Sequence, residues 1–371
     1  MARRRSGFET ACDPARTNQL TPNAVPIHPW LMNQLSTSII HLVLKRFAIA
    51  IPTLLLISII SFSLINAAPG DALAELKQDP RISQETVNRL REQHDLDRPL
   101  LTRYGTWLRG VVQGDFGTSL SELLPVTTLI GARLGNTLKL SLTATFLALL
   151  FALPLGALAA RRRGSWLDRV TGVLTLVSLS TPRIVLAIIA LVFAARTGLF
   201  PIGNVRSLNV VNDWSRASWL DSLHHLLLPA VVMSLPLAAV YLRQARAGLL
   251  EVLAADFIRT ARAKGLSEWA VIGKHAARVA AAPLITLFGY AIAALLSGSV
   301  VVETVMAWPG IGQLAVNATR TRDLPVLMCV VMITAVMMML GNLLADVLQL
   351  IADPRLREAP SRIAAKGDAA A

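Results

Sequence analysis

A polar and strongly patterned stretch, Glu251-Val-Leu-Ala-Ala-Asp256-Phe-Ile-Arg259-Thr260-Ala261-Arg262-Ala263-Lys264-Gly265-Leu266-Ser267-Glu268, separates two long apolar segments. It carries too many charges to lie within lipid. Ile258, Ala261 and Gly265 fall on one face of a helix, whereas the arginines and the lysine point elsewhere. The pattern therefore predicts an ordered helical element between two membrane-spanning segments.

The end of this stretch predicts a turn followed by a second short helix. Gly265 permits a sharp turn at positive φ without a side-chain clash. Ser267 can cap the next helix, whose apolar stripe would be Leu266, Trp269 and Ile272. Two short helices across the end of a bundle suit docking into a groove of a soluble partner. The alternative is an ordinary basic loop that contacts only lipid headgroups.

The composition indicates an integral membrane protein. Of the 371 residues, 54% are hydrophobic and only 16% are charged, whereas soluble domains carry about 25% charged residues. Disorder, collagen and a disulfide scaffold are excluded by the same composition. The net charge of +13 is better explained by basic cytoplasmic loops than by nucleic-acid binding.

Six apolar segments are long enough to cross a bilayer, which needs ~20 residues of helix. They lie at about 47–67, 136–160, 169–195, 226–245, 281–302 and 325–351. The segment 69–133 is long and charge-balanced, and Ser83-Gln84-Glu85-Thr86-Val87 predicts a capped amphipathic helix within it. We therefore expect a folded layer outside the membrane after the first span.

The distribution of Lys and Arg predicts that both termini are cytoplasmic. Basic residues concentrate in the N-terminal tail, in the loop with Arg161, Arg162 and Arg163, in the loop 246–280, and in the C-terminal tail. Residues 1–40 contain several prolines and no apolar run, so they are predicted to be a disordered tail. Residues 358–371 are predicted to be a second cytoplasmic tail, and 41–357 the membrane domain.

The stretch Arg259-Thr260-Ala261-Arg262-Ala263-Lys264-Gly265-Leu266 resembles the coupling loop of ABC-importer permeases, in the form found in their dipeptide, oligopeptide and nickel branch. Further segments resemble the same family in the same order: Ala68-Pro69-Gly70-Asp71, Leu96-Asp97-Arg98-Pro99-Leu100, Gly114-Asp115-Phe116-Gly117-Thr118-Ser119, Leu228-Pro229-Ala230, Trp308-Pro309-Gly310-Ile311-Gly312 and Asp353-Pro354-Arg355-Leu356-Arg357. The resemblance covers about 42–357.

This resemblance implies an all-α fold, a six-helix transmembrane bundle with a structured periplasmic loop after helix 1 and cytoplasmic coupling helices between helices 4 and 5. It implies half of a peptide translocation pore in the bacterial inner membrane. The implied partners are a second homologous permease, two cytoplasmic ATPases that bind ATP and Mg, and a periplasmic binding protein. The chain itself would be no enzyme and bind no cofactor. The implied ATPase-coupling residues are Asp256, Arg259, Thr260, Ala261, Arg262, Lys264, Gly265 and Leu266.

One departure from the family pattern bears on function. After Ser180-Thr181-Pro182 the family usually has an aromatic residue, whereas this chain has Arg183. An arginine in a membrane helix costs ~2.5–3.5 kcal/mol on insertion scales. Arg183, with Pro182, is therefore a candidate for the translocation path, where it would meet peptide carboxylates. The alternative is a structural or snorkelling residue at a helix break.

Two other classes of function are less well supported. An ion-coupled secondary transporter would need carboxylates near the bilayer midplane, and the clear candidate, Asp346, lies close to the cytoplasmic end. A membrane-embedded enzyme would need a nucleophile or metal set, and neither a phosphate loop nor a common hydrolase motif is present. His224-His225 are adjacent and diverge by ~100° on a helix, which favours an interfacial pair over metal ligands. The sequence does not choose among dipeptide, oligopeptide, nickel chelate, glutathione and oligosaccharide as substrate.

Overall fold

The computed structural model describes residues 29–67, 83–93, 98–207 and 215–352. Their regular structure is helical, apart from one isolated β-bridge between Thr118 and Pro125. The predictions for residues 1–28, for the motif 68–71 and for the C-terminal segment 353–371 lie outside the described residues.

Twelve α-helices and one π-helical segment are found among the described residues. The α-helices are α1 (Pro29–Ala67), α2 (Gln84–Gln93), α3 (Leu100–Val112), α4 (Val126–Arg161), α5 (Trp166–Ser180), α6 (Arg183–Thr197), α7 (Arg216–Leu253), α8 (Asp256–Ala263), α9 (Glu268–Ala270), α10 (Ala277–Val305), α11 (Ile311–Thr321) and α12 (Leu324–Ala352). The π-helical segment, Val271–Ala276, joins α9 to α10.

The first helix begins at Pro29, earlier than predicted. Proline suits the first turn of a helix, where its missing N–H would have no intrahelical partner. Residues 29–40, predicted to be part of a disordered tail, are therefore helical.

The second span also begins earlier than the predicted residue 136, at Val126. Val126, Leu129 and Ile130 are buried against Ile311 and neighbouring apolar residues of α11 and α12. This packing explains why a segment with two glycines and an arginine remains helical. The described residues of the predicted layer 69–133 include the helices α2 and α3, and α4 begins before the predicted end of the layer.

The third span is two helices, α5 and α6, bent by 104°, where the sequence predicted one span over 169–195. The bend falls at Pro182, which has no N–H to donate to the preceding turn. The start of α5 is joined to α7 through Asp168 and Arg246, and the residues just after α6 are joined to α7 through Leu199 and His224. These contacts lie ~22 residues apart on α7, about 33 Å of helix, so the bent pair crosses the bundle once.

Counted with this bent pair, the described residues contain six candidate membrane crossings, because five further helices are long and apolar enough to span a membrane. The largest interface is between α4 and α7, where small residues allow close approach. At Gly156 an added Cβ would lie 2.9 Å from the Cβ of Ala245, closer than side-chain atoms can pack. Such small-residue contacts are typical of membrane helix pairs.

The bundle has two distinct ends. The α8 end carries α8, the end of α4, the start of α5 and an ion pair between Arg46 and Asp346. The α11 end carries α11, the start of α4 and the buried Asp323, which accepts hydrogen bonds from Ser119 and Ser121. Consecutive spans alternate between these ends.

Candidate docking site at the α8 end

Helix α8 is fixed to the bundle by the apolar face that the sequence predicts. Ile258 is completely buried and Ala261 is 6% exposed. They pack in a cluster with Ala160 at the end of α4, Leu249 of α7 and the residues that lead into α10. A displacement of α8 would therefore act on three membrane spans at once.

The predicted turn after α8 is present at Gly265. Its φ is +76°, a left-handed conformation that residues with a Cβ adopt only at a cost. The Gly265 N–H donates to the carbonyl of Arg262 at 2.9 Å, and the Lys264 N–H to that of Thr260 at 3.1 Å. An added Cβ would meet no atom within 4 Å, so glycine is required here by the backbone alone.

The second short helix was predicted as a separate element, and this is wrong. Ser267 does cap it, since its Oγ accepts from the Ala270 N–H at 3.4 Å. However, α9 continues through the π-helical segment into α10 without a break. Val271 and Ile272 are buried in the cluster under α8, so the segment is the first part of the fifth span.

The outward side of this element combines apolar and basic side chains. We define the docking surface as the exposed residues Phe257, Arg259, Lys264, Leu266 and Trp269. Phe257 is 47% exposed and Trp269 is 53% exposed. Because they stand among charged residues rather than in an apolar run, these aromatic residues make this side a candidate surface for a protein partner.

Two charge contacts hold the docking surface in shape. Arg262 donates from Nε to Glu268 Oε1 at 2.8 Å and from Nη2 to Oε2 at 3.4 Å, across the Gly265 turn. The guanidinium of Arg161 lies 4.9 Å from the centre of the Trp269 ring, a cation–π contact. Arg262 therefore links α8 to α9. Asp256 is exposed and forms an ion pair with Arg259 at 3.3 Å.

The two candidate path residues lie elsewhere, at the bend of the third span. Pro182 precedes α6 with an extended backbone, and Arg183 occupies its first turn. Arg183 is exposed and takes part in an interaction within the chain. The structure does not bring these two residues together with α8.

A buried carboxylate that the sequence reasoning missed lies at the α11 end. Glu303 is completely buried and accepts from the Thr137 hydroxyl at 2.9 Å and from the N–H groups of Gly312 and Gln313 at 2.7 and 3.2 Å. It thereby joins α4, α10 and the start of α11. The signal in the sequence was a carboxylate directly after the predicted span 281–302, just before the Trp308-Pro309-Gly310 motif.

The adjacent histidines make separate contacts. His224 Nε2 donates to the carbonyl of Leu199 at 2.7 Å, while the Nδ1 of His225 lies 2.9 Å from the carbonyl of Asp221. Over the part of the chain that the structure describes, no group of three or more His, Cys, Asp or Glu side chains is placed to hold a metal ion.

Six candidate crossings, with helix α8 anchored at one end, are the features of a multi-pass membrane protein. Residues 152–358 match the family described as the binding-protein-dependent transport system inner membrane component, and residues 39–141 match its N-terminal companion. The chain belongs to this family. The predicted membership among ABC-importer permeases is therefore confirmed.

The curated relatives match along almost their entire length. AppB, an oligopeptide transport system permease protein of Bacillus subtilis, is 42% identical over 85% of this chain and 98% of its own. A putative peptide permease protein of Brucella suis is 37% identical over 85% and 98%. GsiC, a glutathione transport system permease protein of Salmonella choleraesuis, is 35% identical over 86% and 99%.

Among solved structures, a chain of the MetNI methionine ABC transporter in inward-facing form is similar in fold. It aligns with a TM-score of 0.50 and 18% identity over 61% of this chain and 97% of that one. The predicted all-helical bundle of the ABC-importer permease type is thus confirmed as a fold.

Proposed function

We propose that this chain forms half of the translocation pore of an ATP-driven importer for dipeptides, oligopeptides or similar small solutes. The proposal is supported by 42% identity to an oligopeptide permease across 85% of the chain. Other relatives are named as peptide and glutathione permeases, so a small peptide-like solute is common to them. A second, homologous permease subunit would supply the other half of the pore.

The energy for uptake is proposed to enter through the docking surface. The observation that carries this step is the combination of an anchored inner face, with Ile258 and Ala261 buried, and an aromatic outer face, with Phe257 and Trp269 exposed. Two cytoplasmic ATPase subunits, which bind ATP and Mg, would receive α8 in a groove. Movement of that groove would then pull on α4, α7 and α10 together.

The proposed positions of the binding protein, the termini and the translocation path follow from this arrangement. A periplasmic binding protein would deliver the solute to the α11 end. The α8 end would face the cytoplasm, with both termini, in the bacterial inner membrane. Pro182 and Arg183 would line the path at the bend of the third span, where the cation meets carboxylates of the solute.

An ion-coupled secondary transporter is the alternative class, and the contacts of Asp346 and Glu303 argue against it. Its candidate carboxylate, Asp346, is paired with Arg46 at the α8 end. The buried Glu303 already accepts three hydrogen bonds. A carboxylate that carries protons through a transport cycle must instead be able to change partners.

The test is reconstitution of the complex that copurifies with the tagged chain. We expect an ATPase and a second permease to copurify, and uptake of a labelled oligopeptide into liposomes to require internal ATP and external binding protein. Addition of a protonophore should leave this uptake unchanged. Uptake that persists without ATP and collapses with the ion gradient would overturn the proposal.

A further inference from the structure

A cleft at the α8 end lies between the third and fourth spans and is not part of the docking surface. Its volume is about 760 Å³. We call it the arginine cleft and define it by the arginines at its mouth and the small and apolar residues of its walls: Arg169, Gly172, Val173, Leu176, Leu242 and Arg243. A salt bridge between Asp168 and Arg246 forms its floor.

The charge of the arginine cleft is positive. Asp168 is 8% exposed and is already satisfied, because Arg246 donates to both of its oxygens at 2.5 and 2.9 Å and the Gly164 N–H donates at 2.9 Å. Arg169 and Arg243 are exposed. Within the described residues neither guanidinium has an ion pair or hydrogen bond. The cleft therefore offers two arginines to an anion.

The walls of the cleft favour an acyl chain rather than water. Val173 is 59% exposed and Leu176 is 63% exposed, on the side of α5 that continues as apolar surface toward the bilayer centre. Gly172 leaves a gap between them, since an added Cβ there would meet no atom within 4 Å. A ligand of this cleft must carry an anion at one end and hydrocarbon at the other.

The position of the arginines along the spans matches the level of lipid headgroups. Arg169 lies in the first turn of α5, directly before its apolar run, and Arg243 lies directly after the apolar run of α7. Basic pockets between membrane helices at such a boundary bind anionic lipid headgroups. We propose that the arginine cleft binds one anionic phospholipid, with its phosphate between Arg169 and Arg243 and one acyl chain along Gly172, Val173 and Leu176.

The test uses native mass spectrometry of the purified chain with its copurifying subunits in mild detergent. Phosphatidylglycerol and phosphatidylcholine with identical acyl chains are titrated separately, and inorganic phosphate is added in a third arm. We expect phosphatidylglycerol to bind more tightly than phosphatidylcholine and not to be displaced by phosphate. The combined Arg169→Gln and Arg243→Gln variant should weaken its binding roughly 30-fold, since each arginine near a lipid surface contributes about a factor of five.

Two further variants separate this site from general charge and from a protein interface. Gly172→Leu should block the cleft while keeping every charge, and it favours the helix, so binding should fall with the fold intact. The combined Arg162→Gln and Lys274→Gln variant removes two exposed cations that do not line the cleft, and binding should persist.

Equal binding of both lipids, or equal loss in the Arg162 and Lys274 control, would overturn the proposal. Displacement by millimolar phosphate would show a free-anion site instead of a lipid site. Loss of the second permease from Gly172→Leu with unchanged lipid binding would show that the cleft is a subunit interface.

Discussion

At the scale of single residues, Gly265 decides how the docking surface is joined to the fifth span. Its φ of +76° places a Cβ-bearing residue in a conformation that costs roughly 1–2 kcal/mol. Gly265→Val should therefore rotate α8 relative to α9 or weaken the turn, while all six spans remain inserted. We expect ATP hydrolysis that is no longer stimulated by loaded binding protein, or loss of the ATPase, in complexes reconstituted in nanodiscs.

The matched control is Gly164→Val. Gly164 has a φ of +79° and an equally open Cβ position, but it lies between α4 and α5, outside the docking surface. Both variants should lose similar stability, and only the change at Gly265 should uncouple ATP hydrolysis from transport. Uncoupling by both variants to the same degree would mean that general loosening, not the docking surface, is responsible.

Arg183 supports a second prediction at this scale. If its guanidinium meets carboxylates of the solute in the path, Arg183→Leu should reduce uptake of peptides with a free C-terminal carboxylate more than uptake of their amidated forms. Uptake assays on the two peptide series measure this ratio, and Arg183→Lys should restore part of it. Arg196→Leu, at the other end of α6, serves as the control. An unchanged ratio at normal expression would remove Arg183 from the path.

At the scale of helices, the salt bridge between Asp168 and Arg246 holds the start of the bent third span against α7. Asp168→Asn would leave Arg246 without its carboxylate partner, and loss of such charged hydrogen bonds costs about 1–3 kcal/mol. We expect a lower thermal unfolding midpoint of the detergent-purified chain. Asp256→Asn is the matched control, because its ion pair with Arg259 is 95% and 76% exposed and should contribute little.

The same two helices show where prediction from sequence succeeds and where it stops. The apolar run of the third span is a local feature and was predicted, and Pro182 marked a helix break, but the bend of 104° that divides the span into two helices was not predicted. The contact between Asp168 and Arg246 joins residues 78 positions apart, and no local pattern encodes such a partner. This contact is therefore known only from the three-dimensional structure.

For helix α8 and the docking surface, too, some features could be predicted from the sequence and others could not. The buried face of Ile258 and Ala261 and the turn at Gly265 follow from helical periodicity and glycine chemistry, and both are present. The continuity of α9 with α10 was missed, because the capping signal of Ser267 is the same for a short helix as for the start of a span. The early start of α4 was missed because it depends on packing against α11 and α12.

At the scale of the whole molecule, α4 and α10 connect the two ends. At the α8 end, Ala160 of α4 and Ala280 of α10 lie in the cluster beneath α8. At the α11 end, Thr137 of α4 and Glu303 of α10 meet in one buried hydrogen bond. The two residues of α4 are ~23 positions apart, about 35 Å of helix. A force on α8 would therefore reach the α11 end through two helices that are fixed to each other at both ends.

The connection of the two ends through α4 and α10 is useful for transport only if the ends face opposite sides of the membrane, with the α8 end in the cytoplasm. The test is labelling of single cysteines in intact cells with a membrane-impermeant maleimide, after Cys12→Ser and Cys329→Ala remove the native thiols. Ser83→Cys and Asn317→Cys, both at exposed positions, should be labelled from outside. Ser267→Cys and Arg163→Cys, exposed at the α8 end, should react only after permeabilisation. Labelling of Ser267→Cys in intact cells, with Asn317→Cys protected, would place the docking surface away from ATP and contradict the proposed coupling.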